Sequence, residues 1–149
     1  SELKMDLRDL LNQDKLRPHR TSNKEIESLF SIARRDIQDA KVKALSLDRR
    51  FACAYNAVLQ LSTILLYCSG YRPARVAHHH TVFQAMKIIM GKRYCELANY
   101  FDSCRSKRNI TDYDYSGIIS ESEVKELIKE AERFLKVVHD WVRDNCKVD

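Results

Sequence analysis

Glycine and proline are scarce in this chain of 149 residues, three of one and two of the other. Folds of many short strands need turn residues at every reversal, so the scarcity excludes an all-β design and points to long helices. No cysteine pair has the C-x-x-C spacing of a zinc or redox site, and the five cysteines are odd in number. Cys53, Cys68, Cys95 and Cys104 fall in apolar helical patterns, where cysteine acts as a small hydrophobe. That pattern reads as a reduced, cytoplasmic protein. Long hydrophobic runs are also missing. The most apolar stretch, Ala57 to Tyr67, is interrupted by Gln60, Ser62 and Thr63 and is too short to span a bilayer. No signal-peptide pattern is visible, and no membrane contact is expected.

What is present is a core and a basic balance. Hydrophobic residues make up 44% and charged residues 32%, with a net charge of +5. A pI near 9.0 is compatible with nucleic-acid binding and equally with an ordinary solvated surface.

Leu3, Leu7, Leu10 and Leu11 recur at helical spacing and predict a short first helix, ended before Pro18. Residues 1–21 therefore read as a short helix and an arm, docked on the remainder or laid across a partner. Ser22 and Glu25 form a capping box for a helix to about Leu45, whose stripe is Ile26, Leu29, Phe30, Ala33, Ile37, Ala40, Ala44 and Leu45. Asp48 is the expected cap of a nearly all-apolar helix to about Ser69, the central one of the bundle, with Gly70 ending it. A helix follows His78-His79-His80, and Gly91 breaks or bends it. The next ends near Arg108, and Asn109 to Ile119 reads as a polar, tyrosine-rich loop. Ser120 and Glu123 then cap the most regular helix, Val124 to Val142. The expectation is one all-α domain over residues 22–149, an antiparallel bundle of four or five helices.

The segment Arg105-Ser-Lys107-Arg108-Asn109-Ile-Thr-Asp112-Tyr113-Asp-Tyr115 carries the chemistry. It joins a basic helix end and an Arg-x4-aromatic spacing to a capped amphipathic helix. Upstream stand Arg50-Phe-Ala-Cys-Ala-Tyr55, the Gly70-Tyr71-Arg72 turn and the histidine run. In order and spacing, residues from Ser22 to Cys146 resemble the HEPN (higher eukaryotes and prokaryotes nucleotide-binding) domain. The resemblance implies a homodimer that brings two motif arginines together. It implies either a metal-independent ribonuclease of a toxin–antitoxin or defence system, or a non-catalytic partner of a minimal nucleotidyltransferase that modifies a tyrosine near the motif. The family's ribonuclease motif is Arg-x4–6-His, and position 113 here is Tyr.

RNA cleavage without metal needs a group to take the 2′-hydroxyl proton, a cation for the phosphate and a proton for the leaving oxygen. Arg108 offers a planar fork of donors, with Arg105 and Lys107 beside it. Tyr113, with an ordinary phenol pKa of about 10, is a weak candidate for proton transfer. The candidate catalytic residues are Arg108 and Tyr113. The candidate nucleotide- or RNA-binding residues are Arg105, Lys107, Asn109, Asp112, Tyr115, Arg72 and His78. The bland readings are a cation at the negative end of its helix for Arg108 and an aromatic anchor for Tyr113. Three consecutive histidines do not converge on one centre, so no metal and no cofactor are expected.

Overall fold

The computed structural model describes residues 5–75, 78–113 and 118–148, and of 109–113 the backbone only. Six α-helices are described: α1 (Leu7–Asn12), α2 (Asn23–Ala40), α3 (Leu47–Cys68), α4 (His78–Met90), α5 (Cys95–Tyr113) and α6 (Glu121–Asn145). Two short strands, β1 (Leu16–Pro18) and β2 (Tyr71–Pro73), and a single 3₁₀ turn (Lys92–Tyr94) complete them. The protein is an all-α helical bundle, as its periodicity predicts.

The central helix is α3, packed by α2, α6, α4 and α5. Tyr55, Phe51, Leu61, Ile64, Leu65 and Leu66 on it are buried. It is long and apolar enough to cross a membrane by length and composition, yet most of it lies inside the bundle. Its cap is Ser46, whose side chain accepts from the Arg49 amide, in place of the expected Asp48. Serine reaches that amide because the helix starts at Leu47, inside which Asp48 already lies. The start is early because α2 stops at Ala40, so that Ala44 and Leu45 fall in the connection.

Helices α2 and α3 run antiparallel, with the buried Arg50 Nε donating to the Ala40 carbonyl at 2.8 Å. Helices α4 and α5 do the same, with His80 near Asp102 and Phe83 against Phe101. Helices α3 and α4, however, point the same way, since Tyr55 meets His79 and Ser62 meets Met86. The chain leaves the end of α3 through β2 and returns to its N-terminal half before α4 begins. Gly70, at φ +94°, makes the reversal in the left-handed region that glycine enters at little cost.

The N-terminal arm docks on the bundle. β1 pairs antiparallel with β2 in the register Leu16↔Pro73, Arg17↔Arg72 and Pro18↔Tyr71. Leu10 and Leu16 join the same core as the long helices. The first helix begins at Leu7, capped by Asp6 and Asp9 reciprocally.

A disulfide joins Cys68 to Cys146, with Cα atoms 5.2 Å apart. This corrects the expectation that all five cysteines are reduced. Helical periodicity assigns Cys68 to a small apolar contact, but α3 and α6 run parallel and end at one level, which sets their terminal cysteines side by side. Cys53 and Cys95 are half-buried free thiols and Cys104 a buried one.

Candidate active site

The polar cluster that stands out is built from three helices at the N-terminal end of α3. α5 contributes Asp102, Arg105 and Arg108, spaced three apart and so on one face. α4 contributes the histidines of its first turn, and α3 contributes Tyr55. The Arg108 guanidinium lies over the Tyr55 ring, 5.6 Å from its centroid. The Tyr55 hydroxyl is 3.0 Å from His79 Nδ1, and the His78 ring stacks edge-on against His79 at 4.3 Å. Asp102 bridges the two flanks, with Oδ1 accepting from Arg105 Nε at 2.8 Å and Oδ2 3.1 Å from His80 Nδ1.

Burial and charge divide the work among these groups. His79 is half-buried, and burial pushes its imidazole down to about 4, with His78, Arg108 and Arg105 acting the same way. It is a neutral ring at physiological pH. Burial raises the Tyr55 hydroxyl well above the ordinary phenol value, although Arg108 and Arg105 oppose this. Tyr55 therefore serves as a neutral hydrogen-bonding post. Burial raises Asp102 too, but the hydrogen bonds from Arg105 and His80 outweigh it and hold the carboxyl below its usual range. An ionised Asp102 fixes both the guanidinium of Arg105 and the ring of His80. His78 and His80 remain exposed. The arrangement thus sets fixed cations beside accessible imidazoles, which suits a phosphate held next to a proton carrier.

Several expected residues belong here and several do not. Arg105, Arg108 and His78 come together. Lys107 turns to α6, where it pairs with Glu123. Arg72 lies in β2 at the opposite end of α3, near Tyr67. The expected loop from Asn109 is instead a continuation of α5 through Tyr113, because neither glycine nor proline interrupts the chain there. Positions five apart on an α-helix are about 140° apart around the axis. Position 113 is therefore off the face that carries Arg105 and Arg108, while position 112 is on it. The side chains of Asn109, Asp112 and Tyr113 lie outside the described residues, as does Tyr115 altogether.

Sequence reasoning did not assign Tyr55, His79, His80 or Asp102 to the site. The Asp102-x-x-Arg105 spacing is a legible signal, since i and i+3 meet on a helix. The other three could not be found, because nothing local says that α4 lies alongside α3 in parallel. No family model, curated protein or solved structure matches this chain.

Proposed function

We propose that this protein is a HEPN-like, RNA-directed member of a toxin–antitoxin or defence system, acting as a metal-independent endoribonuclease through the cluster of Arg105 and Arg108 with the α4 histidines. The observation that carries the reading is that Tyr55 joins the two groups, with the Arg108 guanidinium over its ring and His79 Nδ1 3.0 Å from its hydroxyl. It supplies imidazoles beside the motif arginine although position 113 is a tyrosine. The phosphate oxygens sit on the guanidinium of Arg108, which adds charge stabilisation as the phosphorus becomes five-coordinate. The ribose 2′-oxygen attacks phosphorus and the bond to the 5′-oxygen breaks. A neutral histidine takes the 2′ proton and a protonated one returns a proton to the 5′-oxygen, leaving a cyclic phosphate and a 5′-hydroxyl. His78 and His80 are the exposed rings able to exchange those protons, and Asp102 orients His80. Two copies would pair so that both Arg108 side chains line one cleft.

The test is incubation with RNA in excess EDTA. Arg108→Ala should lower cleavage roughly 100-fold or more, the loss typical of removing one donor to a developing anion. His80→Ala should lower it as well, and sedimentation should show a dimer. Cleavage that persists unchanged in Arg108→Ala removes the cluster from any such chemistry.

A further inference from the structure

On the opposite side of α3 from the arginine–histidine cluster lies an open groove of about 530 Å³, walled by the end of α2 and by α6. Lys41 and Lys43 follow the last turn of α2. Lys125, Lys129 and Lys136 come from α6, where offsets of 4 and 11 return to nearly the same face. Glu132 is the one carboxylate on the wall, and Lys41 neutralises it at 3.1 Å. Lys43, Lys129 and Lys136 have no carboxylate partner among the described residues. The groove is therefore strongly positive, although α6 carries many acidic residues on its other faces.

Its floor distinguishes it from a scatter of surface lysines. Arg50 lines the groove and is only 7% exposed. Its Nε is tied to the Ala40 carbonyl, an open acceptor at the end of α2, and this holds the guanidinium in place. That is the one side-chain hydrogen bond of Arg50 among the described residues, which leaves its terminal Nη donors to the groove. A guanidinium held by that bond and ringed by lysine ammonium groups suits a phosphate group, met by a fork of donors and surrounded by point charges. No aromatic ring lines the groove to stack a base, and its one carboxylate is already taken by Lys41. Recognition there is of phosphates and is independent of sequence.

We propose that this groove binds the phosphate backbone of a nucleic-acid strand. The inference rests on the charge and burial of the groove and not on cleavage at Arg108. The groove and the cluster nevertheless flank the same turns of α3, since Arg50 and Tyr55 are about 7.5 Å apart along its axis. One strand crossing that end of the bundle could touch both.

The test uses the full chain and a short fluorescein-labelled single-stranded RNA, followed by anisotropy at several salt concentrations. Lys129→Glu with Lys136→Glu should weaken binding at least roughly tenfold and reduce the salt slope by about one per lost contact. Lys24→Glu with Lys147→Glu changes net charge equally at the far end of the bundle and should leave most of the binding intact. The proposal is overturned if RNA does not bind at low salt. It is also overturned if the two double variants weaken binding alike, or if neither does. A parallel titration with ATP distinguishes a free polyphosphate: loss of ATP binding in the groove variant, with RNA binding unaffected, would equally overturn a backbone site. Binding that survives Arg108→Ala while cleavage is lost would separate this groove from the catalytic reading.

Discussion

At the scale of single residues, His79 shows how placement alters chemistry. A free imidazole has a pKa of about 6.5, whereas burial at the head of α4 pushes this one down to about 4. Above the unfolded value the ring is neutral in both states and adds no pH dependence. Between the two values the unfolded chain binds a proton that the native protein refuses, so stability falls as pH falls. The urea midpoint should drop between pH 7 and pH 5, and His79→Gln should flatten that drop. A variant whose midpoint declines as steeply as the parent's would show that His79 is not the group responsible. The same residue marks the limit of sequence reading. Arg108 is recognisable from its own neighbours in the chain, but the Tyr55 ring beneath it is 53 positions away.

At the scale of elements, the helix starts are local and chemically explicit. Ser120 accepts from the Glu123 amide at 3.2 Å, and Glu123 Oε1 accepts from the Ser120 amide at 2.9 Å. Both bonds follow from a four-residue pattern, so the start of α6 is readable directly. Ser120→Ala should cost about 1 kcal/mol in urea unfolding, and no change in midpoint would show that the capping box is dispensable. Helix ends are less legible. α2 stops several residues before its apolar pattern does, and α5 continues into the expected loop as far as Tyr113. No glycine or proline marks the end of α2 at Ala40, so local sequence does not announce it.

For the whole molecule, the crosslink between α3 and α6 is the main feature that composition hides. It closes a separation of 78 residues, which restricts the unfolded chain substantially. Denatured protein should titrate with Ellman's reagent as three thiols, although the chain holds five cysteines. Cys68→Ser with Cys146→Ser should lower stability by about 2–5 kcal/mol. Five titratable thiols, or a double variant as stable as the parent, would refute the crosslink. The arm has a comparable whole-molecule role. It adds Leu10 and Leu16 to the core and pairs its backbone with β2, so the described part of the arm, residues 5–21, does not stand apart from the bundle.

The sequence by itself determined the all-α class, the central place of α3, the capped start of α6 and the arginines of α5. Each of these follows from contacts within a few residues, where helical geometry fixes which side chains meet. Only the tertiary structure decided that α3 and α4 run in parallel, that Cys68 meets Cys146, and that His79 meets Tyr55, His80 meets Asp102 and Arg108 lies over the Tyr55 ring. Those juxtapositions depend on how the helices are stacked, which the whole core settles at once and no local pattern encodes.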